Sequence, residues 1–489
     1  MFAQGRAFFI LVLALFGILA FSSAATRAPW CDEAYFAEPA YQLLHLGKMA
    51  SVVVPPSPID DPKTFGTDRY TFYTLPLDLV VQAAWYRVTG FGLLQLRALS
   101  LLWGMVALLA WNLILKSLGA NPRLRLLCLL MIGVDYTFIR VGSDGRMDMM
   151  SAALGFLGIG LFLHFESVSY TRAVLYGSCC AAASFFTHPI GGLMATAGLG
   201  IAILMQSRRR LRWYHIPLAA LPYLIFGAAW GVYIAQAPDI FLAQFSSVSN
   251  GRLSAWKTPI ATISRELTKR WAEPFGLVAG SGVKAVKALV LVLYVGTLIW
   301  ATARFRLLRQ QGFAFLVAAA WANLLLLCFV EATKSAAYLI HAIPWIAVLS
   351  AIFLYRYFRP AGAVILCAIL IIQIGGTAYT ISKLQYQREY LPAIAFLKQR
   401  LHPVTGVAEL GFGLGFQPTL TDDRRLGFYT GNHPDLYVID ATYQGAEDQF
   451  QTTHPEIYSY LQQKRASSRL LFTNQLYKIY SDEPPTKGL

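Results

Sequence analysis

Long apolar stretches separated by short polar segments run through most of the chain. An α-helix needs about 20 apolar residues to cross the roughly 30 Å hydrocarbon core of a membrane. The pattern predicts eleven such spans, at residues 8–24, 97–115, 124–140, 149–165, 173–187, 190–206, 214–235, 285–303, 312–330, 338–354 and 361–381. The segment 75–89 is shorter and more interrupted, which predicts an amphipathic helix on the outer membrane surface.

Basic residues in the short loops orient these spans, because cytoplasmic loops are enriched in Lys and Arg. With the amino terminus inside, the predicted inner loops hold fourteen basic residues and one acidic residue, Glu166. Two long loops, 25–95 and 236–284, then lie outside. The block 8–24 also resembles a signal peptide, so cleavage and a retained anchor both stay open, with the anchor favoured.

The pattern changes after residue 382. Strand-like runs follow at 436–440, 469–473 and 476–480, with helix-like stretches at 390–401 and 455–464. The predicted fold class is therefore a polytopic α-helical membrane protein with a small C-terminal α/β extracytoplasmic domain. Residues 1–381 form its transmembrane domain and residues 382–489 the outer domain.

Composition limits the class of protein further. Of 489 residues, 56% are hydrophobic and 14% charged, which excludes a disordered protein and a cytosolic enzyme. The net charge of +15 lies in short clusters that the orientation of the spans explains, so no nucleic-acid partner is expected. Five of the six cysteines lie inside apolar blocks and no CxxC pair occurs, so no disulfide framework is expected.

Polar and ionisable residues next to the spans gather on the predicted outer side. They are Asp32, Glu33, Glu38, Asp135, Arg140, Asp144, Arg146, Asp148, His188, Glu331, Lys334 and Tyr338. Acidic groups close to hydrocarbon are costly, so this concentration indicates an active site or an ion pathway.

Helical spacing gives the first of these segments a more specific meaning. On a helix that begins near Asp32, the side chains of Asp32, Tyr35 and Glu38 share one face and are expected to point into one cleft. The alternative is an ordinary N-terminal cap with acidic residues in its first turn.

The other segments also have structural alternatives. Residues 140–148 are equally compatible with a solvated loop whose charges pair with one another. His188, which precedes a proline, is typical of a turn histidine, and Lys334 is compatible with a lysine that extends to the membrane interface.

The order of these motifs resembles the GT-C glycosyltransferases. A long first outer loop opens with Asp32-Glu33, and an Arg-x-Asp motif, Arg146 to Asp148, precedes the fourth span. More narrowly, the chain is similar to the glycosyltransferase 39 group, which includes protein O-mannosyltransferases and lipid A aminoarabinose transferases. The segment TKSAAYLIHAIPW at 333–345 is similar to that group's Lys, Tyr and Pro pattern. The likeness covers the whole chain in architecture, through short motifs.

The resemblance implies inverting transfer of a sugar from a polyprenyl phosphate to a lipid, glycan or protein acceptor at the outer membrane face. It implies that Asp32 and Asp148 are catalytic. The implied substrate-binding residues are Glu33, Tyr35, Glu38, Asp144, Arg146, His188, Lys334 and Tyr338. No cofactor is implied, and a divalent metal stays open. The sequence departs from the group at His188, where relatives usually have Lys, and at Leu75-Pro76, where they have Pro-Pro.

The residue types suit this chemistry on independent grounds. Inverting transfer needs a carboxylate to take the proton of the incoming hydroxyl or amine, which is the role expected of Asp32. The departing phosphate needs fixed positive charge, for which Arg146, Lys334 and His188 are the candidates. The basic residues of the loop 236–284 are expected to cover the site and add another cation; they are Arg252, Lys257, Arg265, Lys269 and Arg270.

Two other functions use the same outer charges. A transporter or flippase of a lipid-linked sugar would use them for ions or exported substrate, and a noncatalytic assembly subunit would use the C-terminal domain as a contact surface. A transporter is expected to show charges within span centres and two repeated halves, and the sequence has neither. The expected location is a bacterial inner membrane, with the protein in contact with membrane lipids.

Overall fold

The computed structural model of the chain describes residues 2–55, 62–253, 258–278, 282–357, 359–400, 402–431 and 434–482. These residues are mostly helical. Up to residue 382 the α-helices are α1 (Phe2–Thr26), α2 (Cys31–Leu46), α3 (Pro76–Thr89), α4 (Leu93–Ser117), α5 (Pro122–Gly133), α6 (Tyr136–Gly142), α7 (Asp148–Phe165), α8 (Tyr170–Thr187), α9 (Pro189–Ala202), α10 (His215–Ile234), α11 (Pro238–Leu253), α12 (Pro259–Arg265), α13 (Ala288–Ala303), α14 (Phe305–Gln310), α15 (Ala314–Val330), α16 (Ile343–Tyr357) and α17 (Arg359–Ser382).

Beyond α17, short helices alternate with strands. The helices are α18 (Leu391–Lys398), α19 (Gly411–Leu414), α20 (Ala441–Thr453) and α21 (Pro455–Ser467). The strands are β1 (Val404–Thr405), β2 (Leu420–Thr421), β3 (Leu436–Ile439), β4 (Arg469–Thr473) and β5 (Lys478–Ser481).

Seven helices of the described residues are long and apolar enough to cross a membrane. They coincide with predicted spans, and lie at Ala7–Thr26, Leu93–Ser117, Asp148–Phe165, Pro189–Ser207, His215–Ile234, Gly282–Ala303 and Pro360–Lys398. The predicted spans at 312–330 and 338–354 correspond to the shorter apolar helices Ala314–Val330 and Ile343–Arg356. The chain is therefore an integral membrane protein by composition and helix length, while the count of eleven spans stays a prediction.

The predicted span 124–140 is not one helix. It is divided into α5 and α6 at Val134 and Asp135, because the Asp135 carboxylate caps α6 by accepting hydrogen bonds from the backbone N–H groups of Thr137 (2.8 Å) and Phe138 (3.1 Å). Tyr294 Oη and Gln373 Nε2 each donate to its other oxygen at 2.7 Å. Four donors thus compensate the desolvation of this buried carboxylate.

Helix α7 forms the centre of the membrane helices and packs against α4, α8 and α9. Small residues let these helices approach closely, as is common for helices in membranes. Gly192 of α9 lies against the backbone of α8, where an added Cβ would be 2.2 Å from the Cα atom of Phe185. Helices α8 and α9, against which α7 packs, are therefore themselves in close contact.

The five strands form one mixed sheet in the order β2-β1-β3-β5-β4. Strand β1 is parallel to β2 and β3, whereas β5 is antiparallel to β3 and β4. Strands β3 and β4 and helix α21 confirm the elements predicted at 436–440, 469–473 and 455–464. The sheet core includes Tyr437, Val438 and Ile479, all fully buried. The division of the chain into two domains at residue 382 stays a prediction.

The sheet region rests on the first predicted outer loop. The backbone N–H of Asp422 donates to Val53 O at 2.8 Å, and Gln42 Nε2 of α2 donates to Phe416 O at 3.1 Å. Tyr41 and Phe91 pack with Phe416 in an aromatic cluster. Helix α2 therefore has the membrane helices on one side and the sheet region on the other.

We expect Gly192→Ala to destabilise the protein by about 1–3 kcal/mol, because the new methyl group overlaps the α8 backbone. The measurement is the apparent melting temperature of the detergent-solubilised protein. Gly200→Ala is the matched control, since Gly200 lies in the same helix with no heavy atom within 4 Å of an added Cβ. Equal melting temperatures for the two variants would contradict the close packing of α8 on α9.

Candidate active site

An ion-pair chain joins two of the sequence segments predicted to be functional. Asp32 lies in the first turn of α2 with its side chain 33% exposed, and it accepts a hydrogen bond from Nη1 of Arg146. Arg146 is nearly buried, and its Nε donates to Asp148 Oδ2 at 2.7 Å. Asp148 is fully buried at the start of α7. The two predicted catalytic carboxylates are thus bridged by one guanidinium group.

The structural alternatives hold in part. Asp32 and Glu33 lie in the first turn of α2, and Glu33 Oε2 accepts from the backbone N–H of the N-cap residue, Trp30, at 3.2 Å. Asp32 is not itself the N-cap residue and pairs with Arg146. The charges of segment 140–148 do pair with one another, as that alternative requires, but they are buried rather than solvated. Burial of paired charges beside one partly exposed carboxylate is typical of a binding site.

Two histidines and a tyrosine surround Asp148. The other carboxylate oxygen of Asp148, Oδ1, is buried and accepts no hydrogen bond from any described residue. His188, in the turn between α8 and α9, and His341 are its electrostatic neighbours. The ring centroids of His188 and Tyr338 are 5.2 Å apart. Asp148, His188 and Tyr338 therefore occupy one buried region. His341 belongs to the same region, although it was not among the residues predicted from the sequence.

Glu33, next to Asp32, has a different environment. Its carboxylate forms a two-point pair with Arg97 of α4, at 2.7 Å to Nε and 2.6 Å to Nη2, and also accepts from Gly145 N at 2.8 Å. Burial raises the pKa of Glu33, but the charge and hydrogen bonds of Arg97, with the Gly145 N–H, outweigh burial and hold the pKa below its usual value. Arg97 also donates to three backbone carbonyl groups, at residues 24, 27 and 28. Glu33 therefore attaches α2 to the membrane helices.

Asp144 is likewise committed to an internal pair. It accepts a hydrogen bond from Arg27, whose Nη1 also donates to Ser143 Oγ at 3.2 Å. Arg140 Nε lies 3.6 Å from the second oxygen of Asp144. The sequence did not single out Arg27, because nothing in its local spacing connects it with a residue 117 positions away.

The other two predicted residues of α2 point elsewhere. Tyr35 Oη donates to Asp422 Oδ2 at 2.8 Å and accepts from Arg424 Nη2 at 3.0 Å. Glu38 accepts hydrogen bonds from Ser51 Oγ and from the backbone N–H groups of residues 52 (2.6 Å) and 53 (2.8 Å). The three side chains of Asp32, Tyr35 and Glu38 thus have separate hydrogen-bond partners. Tyr73, whose Oη donates to Tyr35 O at 3.0 Å, is an electrostatic neighbour of both Asp32 and Glu38. The expectation that the three side chains point into one cleft stays a prediction.

Lys334 belongs to a second buried charge cluster. Its Nζ lies 3.2 Å from Glu266 and donates to Cys328 O. Arg270 pairs with Glu266 at 2.7 Å and with Glu331. Two acids and two bases are balanced within this cluster, and Lys334 is buried within it. Its backbone φ of +62° is costly for a non-glycine residue, which indicates that the surrounding contacts fix it.

The loop 236–284 contributes to this cluster as well as to the surface. Arg270 is its buried cation, whereas Lys269 pairs with Glu273 at 2.8 Å on the exposed side. The side chain of Arg252, and Lys257 altogether, lie outside the described residues. Arg265 is exposed, and the covering role of the loop stays a prediction.

A cavity of about 340 Å³ lies next to Trp30, on whose ring the Arg146 guanidinium group rests at 5.3 Å. Three basic residues line it, Arg140, Lys284 and Lys287, and we call it the basic cavity. Three acidic residues line it as well, Asp135, Asp144 and Glu273, and each has a partner within the protein. Lys287 Nζ is 3.4 Å from the ring centroid of Tyr136, so part of its positive charge faces an aromatic ring rather than an acid. Sequence analysis missed Lys284 and Lys287, although basic residues directly before an apolar helix are a signal for the membrane interface.

No group of three His, Cys, Asp or Glu side chains close enough to hold a metal ion occurs among the described residues. The candidate site is therefore built from ion pairs and aromatic rings. Asp78 adds one more buried carboxyl group; burial raises its pKa to about 7, and Gln82 donates to it at 2.6 Å.

The sequence matches no protein-family model and has no significant match among curated proteins. The fold does match solved structures. ArnT from Cupriavidus metallidurans bound to undecaprenyl phosphate aligns with a TM-score of 0.60 at 13% identity over 98% of this chain and 99% of that chain. The Archaeoglobus fulgidus oligosaccharyltransferase in the apo form aligns with a TM-score of 0.54 at 11% identity over 98% and 75%.

At such low identities, the comparisons show the fold. The chain has the fold of the GT-C membrane glycosyltransferases, and the resemblance predicted from the sequence motifs is confirmed at that level.

We expect Glu33→Gln to destabilise the protein by about 3–5 kcal/mol, because Arg97 keeps its charge in a buried position without a counter-charge. The apparent melting temperature in detergent measures this. Asp32→Asn is the matched control on the neighbouring residue, and only a small change is expected, since Arg146 keeps Asp148 as a partner. Equal effects of the two substitutions would contradict the assignment of Glu33 as the structural acid.

Glu38 gives an expected pH dependence of stability. Burial raises its pKa from 4.5 to about 7 against the opposing effect of its hydrogen bonds. When the pKa of a carboxyl group is higher in the folded than in the unfolded protein, protonation favours the folded state. This stabilisation is complete below the pKa of the unfolded protein and is lost as the pH rises through the pKa of the folded protein. The melting temperature is therefore expected to fall between about pH 4.5 and 7, and Glu38→Gln is expected to flatten this part of the profile. An unchanged slope in the variant would assign the pH dependence to other groups.

Proposed function

We propose that this protein is an inverting membrane glycosyltransferase, which moves a monosaccharide from a polyprenyl phosphate to an acceptor on the outer membrane face. The observation that carries the proposal is the Asp32-Arg146-Asp148 chain, in which one partly exposed carboxylate is held by a buried, charge-paired arginine. The fold supports it, since ArnT was solved with undecaprenyl phosphate and an archaeal oligosaccharyltransferase with dolichol-phosphate.

In the proposed reaction, a hydroxyl or amine of the acceptor attacks the anomeric carbon of the donor sugar from the face opposite the phosphate. The bond from that carbon to the phosphate oxygen breaks, and its electron pair leaves with the phosphate. Asp32 takes the proton of the attacking group, because its carboxylate is the one exposed acid of the ion-pair chain. A base in this position contributes about 10²- to 10⁴-fold to the rate.

In the proposed reaction, Arg146 and Asp148 orient the Asp32 carboxylate. Arg146 is fixed by Asp148 on one side and by the ring of Trp30 on another, so the guanidinium group holds Asp32 in one orientation. A group that is already oriented needs no reorganisation during the reaction. In this proposal, His188 and Tyr338 line the buried end of the same region and contact the donor sugar.

The basic cavity is the proposed position of the donor phosphate. Its residues Lys284 and Lys287 lie in the first turns of the apolar segment Gly282–Ala303, and the end of a membrane-spanning segment is where the phosphate of a membrane lipid lies. Arg140 supplies a third positive charge there. Lys334, which the sequence favoured for this contact, is paired with Glu266, so its proposed role is to hold the segment 258–278 over the site.

The acceptor is proposed to be a lipid, glycan or protein at the outer face of a bacterial inner membrane, with residues 382–489 extracytoplasmic. The two alternative functions, a transporter or flippase and a noncatalytic subunit, would need no chemical step at Asp32. No observation on the described residues favours either alternative over an enzyme, and the experiment below distinguishes the enzyme from both.

The test compares outer glycolipids, polysaccharides and glycoproteins by mass spectrometry in a deletion strain that carries the wild-type gene or a variant. Asp32→Asn is expected to lower transfer of the missing sugar by at least about 10²-fold, because the amide cannot accept the proton. Asp68→Asn is the matched control, an exposed aspartate of the same loop, and is expected to restore the sugar fully.

Equal abundance and equal melting temperatures of the variants are required for the comparison. If Asp32→Asn restores the sugar to the wild-type level, the enzyme proposal fails and transport or assembly becomes the better account.

A further inference from the structure

A second cavity, of about 490 Å³, lies between the first predicted outer loop and the sheet region. Tyr35 and Tyr73 line it from the loop side, and Tyr429 and Phe450 from the side of the sheet region. We call it the aromatic cavity. The proposed reaction at Asp32 does not involve this cavity. Of the site residues predicted from the sequence, Tyr35 lines it.

Three basic side chains line the same cavity, and each is positioned by an aromatic residue of its wall. Arg424 Nη2 donates to Tyr35 Oη at 3.0 Å. The Arg425 guanidinium group lies 5.5 Å from the ring centroids of both Tyr429 and Phe450. The third is Lys63, whose Nζ is 5.4 Å from the ring centroid of Tyr73. The electrostatic counterpart of Arg424 is Asp422, with which it shares the hydroxyl group of Tyr35.

The two acidic residues that line the cavity are occupied within the protein. Asp422 accepts hydrogen bonds from Tyr35 Oη (2.8 Å), Tyr443 Oη (3.1 Å) and the backbone N–H of residue 408 (3.1 Å). Asp423 accepts from the backbone N–H groups of residues 425 and 427, both at 3.0 Å. Both carboxylates are nearly buried. The cavity therefore presents cationic groups and aromatic faces.

This combination selects one class of ligand. Guanidinium groups bind carboxylate and phosphate oxygens by two parallel hydrogen bonds. Aromatic rings pack against the C–H faces of sugar rings, which are apolar. A cavity that combines both suits a sugar that carries a negative charge, and its volume is in the range of small-molecule sites, about 300–1,000 Å³.

The aromatic cavity is also close to Asp32. Tyr35 follows Asp32 by three residues on α2, a rise of about 4.5 Å along the helix axis. Tyr73, whose Oη donates to Tyr35 O at 3.0 Å, is within electrostatic reach of Asp32. A ligand in the cavity would therefore lie close to the proposed base, Asp32, which pairs with Arg146.

We propose that the aromatic cavity binds an anionic sugar unit of the acceptor, and that Arg424 and Arg425 recognise its carboxylate or phosphate group. This inference rests on the proposed function, since it names the acceptor chemistry of the same enzyme. The charged unit has two possible sources, a uronic acid of a polysaccharide and a phosphorylated sugar of a glycolipid. Both present the same chemistry to the two guanidinium groups.

Calorimetric titration of the purified full-length protein in nanodiscs tests the proposal with three probes. They are a galacturonic acid trisaccharide, galactose 1-phosphate, and uncharged maltotriose. Wild type is expected to bind at least one acidic probe, more weakly as salt is added, and to bind maltotriose at least tenfold more weakly. Which acidic probe binds identifies the source of the charge. Binding of neither acidic probe, or equal binding of maltotriose, overturns the proposal.

Substitutions assign the binding to this cavity. The double variant Arg424→Gln and Arg425→Gln is expected to weaken binding of the acidic probe roughly tenfold or more, because two charge-assisted contacts are lost. Arg400→Gln is the matched control, since Arg400 also lies over a ring, that of Phe396 at 3.6 Å, but does not line the cavity. Unchanged binding in the double variant places the probe elsewhere and overturns the proposal.

Folding and catalysis are separated from binding by two further variants. Arg424→Lys retains the charge without the planar two-point geometry, so weaker binding at an unchanged melting temperature supports direct recognition. Asp32→Asn is expected to bind the acidic probe as wild type does. If wild type does not bind the probes but Asp32→Asn loses transfer, the cavity proposal alone is overturned. If wild type binds an acidic probe but Asp32→Asn retains full transfer, the proposed function alone is overturned.

Discussion

The buried pair of Glu33 with Arg97 positions α2, on which the candidate site depends. It attaches the start of α2 to the second membrane-spanning helix, and Arg97 adds three hydrogen bonds to the backbone that leads from α1 to α2. Because the loss of either charge leaves the other unpaired in a buried place, the two elements cannot separate at low cost. The same contact sets Asp32 beside Arg146, and it presents the other face of α2 to the sheet region.

Charge balance explains which acid is available for chemistry. Buried charges are tolerated when they are paired, and most of the outer charges near the spans satisfy this rule. The clusters are Glu33 with Arg97, Asp144 with Arg27, and Glu266 and Glu331 with Arg270 and Lys334. Asp32 and Asp148 share the single guanidinium group of Arg146, which leaves one negative charge in excess, and Asp32 is the more exposed of the two. A proton acceptor is best placed where such an excess meets solvent.

Helix α2 also separates two cavities of different character. The basic cavity lies next to a membrane-spanning helix and is lined by lysines that precede it, whereas the aromatic cavity lies between the first loop and the sheet region. In the proposed reaction, the lipid-linked donor approaches from the first and the acceptor from the second, so that α2 presents Asp32 between them. In that proposal, the lipid chain of the donor lies in hydrocarbon and the acceptor approaches from water.

Local sequence patterns were sufficient to predict those structural elements that depend on neighbouring residues. Apolar length predicted the seven helices that are long enough to cross a membrane, and alternation predicted strands β3 and β4. Neighbouring acids such as Asp32 and Glu33 have the same local pattern, and only their partners, 114 and 64 residues away, distinguish the exposed acid from the structural one. The break of a predicted span at Asp135 and the pairing of Lys334 were also decided by distant donors and acceptors. Sequence therefore determined which segments enter the membrane, since burial of apolar surface depends on composition, whereas tertiary structure decided the role of each charge, because an ion pair depends on which groups the fold brings within a few ångströms.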